Sequence, residues 1–496
     1  MTLHQLLPYM PAARPSGPME AEVSGVTADS RAVTNGFLFF AHRGTKVDGH
    51  QFIPQALEQG AVGIVAESPV PPDFHGAWIE VKNAPLALGG VASAIHGEPS
   101  LNLQVAGVTG TNGKTTVAFL IQHLIAQSRG RCGMLGTIRY DLGNNEILPA
   151  THTTPDSAEM HRLLAAILGN GCAGVAMEVS SHAVDQQRIA GIEFDAAVFT
   201  NLTQDHLDYH RSMEAYFEAK AAFFEHLMHQ KVKRHPRMVI NIDDPAGKKL
   251  ADRYHEKAAV TTYGMSYAAD FRITDLTNTI STTQFHLLVG GRSLLVRLPL
   301  IGRFNVFNAV AALAAVQGMG YNLREAVQHM SLAPQVPGRL QSVGSQRNFR
   351  VFVDYAHTPD AMENVLRTLK ALNPRRIITV FGCGGDRDVT KRPLMGSIAE
   401  NLSDHVILTS DNPRSEDPEK ILNDIQQGLR GSTHTKIVDR AEAIALAIEV
   451  ARDGDIILIA GKGHEDYQIF ADRTVKFDDV KVAAHCLRDK KEAQDT

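Results

Sequence analysis

Short apolar runs recur along the chain, each followed by a polar loop and then by a stretch whose apolar positions repeat with helical spacing. The run Leu103–Val108 predicts a buried strand. After it, Val117, Leu120, Ile121, Leu124 and Ile125 share one face of a helix that opens at Thr115 and is closed by Gly130. Ahead of this unit, Gly36–Ala41 and Ala61–Ala66 read as strands and Gln51–Gln59 as a helix. Behind it, Cys172–Val179, Phe194–Thr200 and Met238–Asn241 read as strands and Met213–Leu227 as a helix. Alternation at Phe271–Ile273, Gln284–Leu288 and Leu294–Leu298 predicts antiparallel hairpins, and Gly302 opens a further helix. In the last third, Phe349–Val353, Arg376–Phe381, His405–Thr409 and Asp455–Ala460 alternate with helical patterns such as Met362–Leu372 and Ala441–Ala451. That is the signature of an open, mostly parallel sheet with ligand groups at the C-terminal ends of its strands.

The expected class is therefore α/β. Its 496 residues exceed one core, and at roughly 100 to 200 residues per domain the chain suggests three. The boundaries expected are 1–99, 100–337 and 338–496, with Pro334–Pro337 as a hinge. A net charge of −5, from 49 basic and 54 acidic residues, offers no field for nucleic acid. Cys132, Cys172, Cys383 and Cys486 lie far apart without metal or disulfide spacing, which fits a reducing cytoplasm. Met1–Met10 lacks the pattern of a signal peptide, and no apolar run approaches the about 18 residues of a membrane span.

The chemistry concentrates after the strands. In Val105–Thr116, Gly110 and Gly113 let backbone amides approach phosphate, the helix start favours anions, Lys114 adds a cation and Thr115 offers a hydroxyl to magnesium. The strict phosphate-loop template would place its first glycine where Val108 stands, so this loop is a variant. Glu178 sits in an otherwise apolar strand and needs a partner, either magnesium or a buried arginine. Asp205, His206, Asp208 and His210 supply more ligand atoms than a plain loop needs. Lys220 falls on the apolar stripe of Met213, Phe217 and Phe224, where it either snorkels outward or loses its proton and becomes a reactive amine. Asn305 and Asn308 read as adenine contacts or as capping residues. Ser30 and Arg31 read as phosphate contacts or as a cap and a solvated cation.

GTNGKTT (110–116), MEVSSHAVDQQR (177–188), TNLTQDHLDYH (200–210), the lysine helix, FNVFNAVAA, PGRLQ, DYAHTPDA, GCGGDRD with KRPLM, DNPR (411–414) and GKGHE (461–465) follow one another across essentially the whole chain. In this order they closely resemble the Mur ligases, ATP-dependent amide-forming enzymes that build the peptide of bacterial peptidoglycan. The resemblance implies three domains: a small N-terminal α/β domain binding the UDP substrate, a central P-loop ATPase-like domain, and a C-terminal Rossmann-like domain binding an amino acid. The last three motifs resemble the branch that extends UDP-N-acetylmuramoyl-L-alanyl-D-glutamate. DNPR resembles the version that adds meso-diaminopimelate rather than L-lysine, since Arg414 can fork onto a distal carboxylate.

Carried over by position, the resemblance implies that Gly110, Thr111, Asn112, Gly113, Lys114, Thr115 and Thr116 cradle ATP. Asn308, Arg339, Asp354, Tyr355 and His357 would lie near the nucleotide. Lys114, Glu178, His206 and Lys220 would be catalytic. Thr115, Glu178 and His206 would serve Mg2+, as would Lys220 once carbon dioxide has converted it to a carbamate. Ala28, Ser30, Thr45, Lys46, Val47, His152, Thr153, Thr154, Ser180, Gln186 and Arg188 would contact the UDP substrate. Arg387, Asp411, Asn412, Pro413, Arg414, Gly461 and Glu465 would form the diaminopimelate pocket. His152 stands where the family has asparagine, and the Thr45–Val47 loop varies. A cytoplasmic monomer without nucleic-acid or membrane partners is expected. The alternatives are a folylpolyglutamate synthetase-like ligase, against which DNPR and GKGHE argue, and a catalytically silent nucleotide-binding regulator, which the retained Lys114, Glu178, His206 and Lys220 oppose.

Overall fold

The computed structural model describes every residue except 45, 46, 206, 280, 345–347, 432, 433 and 496. The first sheet sets Arg14–Ser16, Trp78–Glu80, Gly63–Ala66, Phe37–Ala41 and Gly25–Thr27 side by side, parallel except at the Arg14–Ser16 edge. Its middle strands are continuous apolar runs because both faces are covered. Leu38, Phe40 and Val65 pack with helix Ala84–Ile95, while Phe39, Ala41 and Ile64 join Ala56 of helix Ile53–Glu58 in a second cluster. The Ala84–Ile95 helix also meets helix Ser157–Gly169. A Cβ on Gly89 would collide with Ala190, so the two backbones approach as closely as glycine permits.

The second sheet places Cys132–Leu135, Gly174–Glu178, Gln104–Thr109, Ala196–Phe199, Arg237–Asn241 and Ala259–Gly264 in parallel. The strand Gln104–Thr109 leads into helix Lys114–Arg129, whose apolar face is buried and which Gly130 ends at φ +96. Connections leave that strand for both sides of the sheet, which puts the following loop at a topological switch point. Strands Phe271–Asn278, Thr283–Val289 and Arg292–Leu298 occupy the expected hairpin region.

Two compact units emerge. One comprises Met1–Thr274, His286–Leu295 and Phe307–Met330; the other comprises Asp275–Phe285, Val296–Val306 and Ser331–Thr496. The second unit carries the third sheet, in the order Gln341–Val343, Arg350–Asp354, Ile456–Ala460, Ile377–Phe381, His405–Leu408 and His434–Lys436. All its strands are parallel save the first. This is the strand and helix alternation expected of the last third. A hairpin of Tyr467–Ile469 and Thr474–Lys476 was not foreseen, being too short and too charged to show a strand pattern. Among the described residues no helix is long and apolar enough to cross a membrane, and all four cysteines are free thiols.

Candidate active site

The phosphate loop is shaped by contact as much as by backbone freedom. Gly110 and Gly113 adopt φ +143 and φ +90. A Cβ on the first would strike the Thr200 hydroxyl and one on the second the Asn308 side-chain oxygen. Asn308 therefore abuts the loop, whereas the Asn305 amide donates to the Ile301 carbonyl at 2.9 Å, a local role. The segment after strand Ala196–Phe199 clamps the loop from outside. Thr111 N–H donates to the Asn201 carbonyl at 2.9 Å, Asn112 N–H to Asn201 Oδ1 at 2.9 Å, and the Thr200 hydroxyl to the Asn112 carbonyl at 2.6 Å. Lys114 Nζ folds back onto the carbonyls of Gly110 and Thr111, 2.9 Å from each. Thr115 and Thr116 lie buried in the first turn of the helix, an end that favours anions.

Lys220 does not snorkel. It sits on helix Met213–Met228, begun by Ser212, whose hydroxyl accepts from Ala215 N–H at 3.1 Å. Its side chain is buried, with the residue 1% exposed. Nζ donates to the Gly110 carbonyl at 2.9 Å and lies 4.4 Å from the centre of the Tyr216 ring. Burial, reinforced by the Lys114 charge and opposed by Asp205, pulls its pKa well below that of ordinary lysine, which favours the neutral amine relative to an exposed lysine.

Glu178 joins this loop to a second group of residues. The carboxylate accepts from the Thr115 hydroxyl at 3.1 Å, from Thr137 N–H at 2.8 Å and from the Thr137 hydroxyl at 3.1 Å. Among the described residues no arginine pairs with it. A carboxylate flanked by hydroxyls is a hard oxygen donor set of the kind magnesium takes while retaining water ligands. His206 lies outside the described residues; among the others no trio of His, Cys, Asp and Glu forms a metal cluster.

From Glu178 the contacts continue. The Thr137 and Thr153 hydroxyls are 3.0 Å apart, and the Thr154 hydroxyl donates to the Glu178 carbonyl at 2.9 Å. Thr154 Oγ1 accepts from Ser180 N–H at 3.1 Å. Arg188 donates to the Thr154 carbonyl at 2.9 Å and twice to Gln186 Oε1, at 3.1 and 2.7 Å. Burial draws the Arg188 guanidinium below its usual pKa. Thr153, Thr154, Ser180, Gln186 and Arg188 are thus brought together. His152 is exposed beside them, with its carbonyl accepting from the Tyr140 hydroxyl at 2.7 Å.

Ser30 lies in the first sheet's loop and donates to Gln55 at 2.9 Å. The local cap is Asp29, which also pairs with the exposed Arg31 at 2.7 Å. Ala28 is half-buried and Val47 exposed, and Thr45 and Lys46 lie outside the described residues.

In the second unit the loops after the parallel strands carry the remaining candidates. Asp354 accepts from Leu340 N–H at 2.6 Å and Ala356 N–H at 2.9 Å, and burial, tempered by Arg339, raises its pKa to about 6. The Arg339 guanidinium lies 4.9 Å from the Tyr355 ring centre, and His357 packs against the same ring at 4.5 Å. Arg414, at φ +54, donates from its backbone to the Ile469 carbonyl at 3.0 Å and from its guanidinium to the Gly385 carbonyl at 2.8 Å. The unforeseen hairpin therefore fixes the DNPR loop. Pro413 is buried, its carbonyl so close to Gly385 that a side chain there would clash, and a Cβ on Gly461 would meet Asp411 Oδ2 at 2.5 Å. Arg387 is exposed on the neighbouring loop.

Three buried cations brace these loops, and none was singled out from sequence. Lys462 touches Asn412 and Glu465, 3.0 and 3.2 Å away. Arg392 pairs with Glu416 and Asp424, each at 2.8 Å, and its hydrogen bonds pull Glu416 down to about 2. Arg440 pairs with Asp479 at 2.8 Å, both wholly buried, and donates to the Ser410 and Ala460 carbonyls at 3.2 and 3.0 Å. Lys462 lies within the GKGHE motif and Arg392 within KRPLM. Thr137 was the first hydroxyl after a buried strand, a signal that could have been used.

Comparison with known proteins gives these sites a family. Residues 108–316 match the Mur ligase middle domain, 338–463 the Mur ligase glutamate ligase domain, and 22–96 the catalytic domain of the Mur ligase family. The UDP-N-acetylmuramoyl-L-alanyl-D-glutamate–2,6-diaminopimelate ligase of Solibacter usitatus is 44% identical over 98% of both chains, and that of Geobacter metallireducens is 42% identical over 99% of both. A solved structure of a ligase of the same name superposes with a TM-score of 0.73 at 34% identity, covering 99% of each chain. A folylpolyglutamate synthase of Mycobacterium tuberculosis shares the fold, at a TM-score of 0.63 and 19% identity over 81% of this chain and 95% of that one. With its three regions matched in order and its full length paralleled at such identity, the chain belongs to the Mur ligase family.

Proposed function

We propose that this chain uses ATP to join the D-glutamate γ-carboxylate of UDP-N-acetylmuramoyl-L-alanyl-D-glutamate to meso-2,6-diaminopimelate, in the cytoplasmic assembly of peptidoglycan. One observation carries the reading. An unbroken set of hydrogen bonds runs from Thr115 of the phosphate loop through Glu178 and Thr154 to Arg188, linking the residues assigned to ATP with those assigned to the UDP substrate.

The chemistry follows from charge. A carboxylate must attack the γ-phosphorus of ATP, and two anions approach only when their repulsion is cancelled. Lys114 and the helix start supply fixed positive potential there. Thr115, Glu178 and His206 are the residues that would hold magnesium, whose contribution is to neutralise phosphate charge. The bond between the terminal phosphorus and the bridging oxygen breaks as the acyl phosphate forms, and ADP leaves. The free amine of diaminopimelate then attacks the acyl carbon, phosphate departs and a proton is lost from nitrogen.

Lys220 has a separate part. Its nitrogen, when unprotonated, can attack carbon dioxide: the lone pair forms the N–C bond, one proton leaves to water, and the carbamate anion would be able to offer magnesium a further oxygen. Arg414 recognises the distal carboxylate of diaminopimelate. The reading assigns 1–99 to the UDP end, 100–337 to ATP and 338–496 to the amino acid, in a monomer.

The test measures phosphate release from ATP with the UDP-muramoyl dipeptide, comparing meso-diaminopimelate with L-lysine. ADP and a lengthened peptide with diaminopimelate, and discrimination against lysine of roughly 10⁴ or more, are expected. Equal turnover of both amino acids would overturn the specificity, and no ADP with either would overturn the ligase reading.

A further inference from the structure

The GKGHE loop holds a lysine that the reaction outlined above does not use. Lys462 follows strand Ile456–Ala460 and is wholly buried; its neighbour Glu465 has a side chain 16% exposed. Nζ donates to Glu465 Oε2 at 3.2 Å and to Asn412 Oδ1 at 3.0 Å. Asn412 closes the triangle by donating from Nδ2 to the same Oε2 at 2.8 Å, and its Oδ1 also accepts from Ile469 N–H at 3.0 Å. Both donors thus converge on one oxygen of the glutamate. The other, Oε1, takes no donor from the described residues.

We infer that Lys462 is a positioning residue, which with Asn412 locks one oxygen of Glu465 so that the other is presented to the ammonium end of the incoming amino acid. This rests on the reading of the second unit as the amino-acid pocket.

The physical reason lies in geometry and charge. A carboxylate on a loop has a rotamer to lose on binding, and fixing one oxygen removes that cost in advance. The fixing group must be buried, or it would itself compete for the substrate. It must also be a donor on a short tether, and a lysine three residues before the glutamate meets both needs. The substrate end it serves is an α-amino acid, whose ammonium needs one anionic acceptor. A pair of carboxylate oxygens engaged on one side and open on the other supplies a single direction of approach. The cation also makes Glu465 and Lys462 together neutral, so the pocket attracts a zwitterion without drawing in stray cations.

The experiment is a double-mutant cycle on the full chain, with Lys462→Met, Glu465→Gln and both, reading KM for meso-diaminopimelate, KM for ATP and kcat. Lys462→Met is expected to raise the diaminopimelate KM about tenfold, within the range seen for residues sharing one charge network, while the ATP KM stays within about twofold. In the Glu465→Gln background the same change should add less than about twofold, because the group it positions is gone. Multiplicative effects, or an equal rise in the ATP KM, would mean a merely structural lysine and overturn the inference. Should Lys462→Met fail to fold, the double variant, which leaves no unpaired carboxylate, compared with Glu465→Gln alone still decides: an additional tenfold rise overturns it. A wild type without ADP formation brings down the functional reading and this inference with it. A turning-over wild type with multiplicative effects brings down this inference alone.

Discussion

Two lysines, Lys220 in the first unit and Lys462 in the second, are each almost wholly withdrawn from water, yet their surroundings make them opposites. Lys220 touches a glycine carbonyl and the face of Tyr216, with the like charge of Lys114 nearby and Asp205 only partly offsetting it. Its pKa falls. Lys462 meets a carboxylate and an amide oxygen and forms an ion pair. Burial alone therefore does not decide what a lysine is for; the partner decides. Beside the glycine loop the buried cation lacks an acid within contact among the described residues, and in the second unit the buried cations are paired with acids, as Arg392 and Arg440 also show.

The contrast can be broken most forcefully at Lys220. Lys220→Ala should reduce kcat by about 10³-fold, the scale of losing one fixed electrostatic group in an active site, and short carboxylic acids should restore part of it. Undiminished turnover would remove the carbamate. On the paired side, Arg440→Met leaves Asp479 buried without its cation and should destabilise the fold by about 3–5 kcal/mol, read by denaturant unfolding. A loss below about 1 kcal/mol would show the pair to be dispensable. Next, Arg414→Ala should lower kcat/KM for diaminopimelate by about 10²-fold, as for truncating one side of a charge pair, with ATP affinity unchanged. Equal loss for both ligands would sink its assignment.

The smallest effect concerns stability and sharpens the comparison by sign. The pKa of Lys220 in the folded chain is depressed below the ordinary lysine value of 10.5, so between the two values the unfolded chain binds the extra proton. Stability then rises with pH across that window, and the cost of burying the lysine is greatest below its folded pKa. Lys220→Met, in bicarbonate-free buffer, should therefore raise Tm near neutral pH, by about 1–2 °C for each kcal/mol relieved. The gain should vanish as the pH approaches 10.5. A gain independent of pH would mean that packing, not charge, is responsible.

How much of this could be read in advance follows the range of the interactions. The phosphate loop was legible because strand, glycines and helix are consecutive, and the odd position of Lys220 because helical periodicity is local. The alternatives left open at Glu178 and Asn308 needed tertiary contacts, namely Thr137 41 residues away and the approach of Asn308 to Gly113. Arg440 and Asp479 are separated by 39 residues and lie outside every motif. Only the fold reveals that the arginine joins the carbonyls of Ser410 and Ala460 at the ends of two strands. Ser30 is a similar case: its hydroxyl donates to Gln55, 25 residues away, a contact no local pattern shows.

The shared carboxylate of Glu178 has one more consequence. If a cation arriving with ATP draws its side chain away from Thr137, the Thr137 hydroxyl loses its acceptor and can turn its proton toward Thr153, so occupancy at one end is felt at the other. Linkage makes such an influence mutual: whatever factor the nucleotide imposes on the affinity for the sugar nucleotide, the sugar nucleotide must impose on the nucleotide. The affinities for the two ligands would then be coupled through a single side chain.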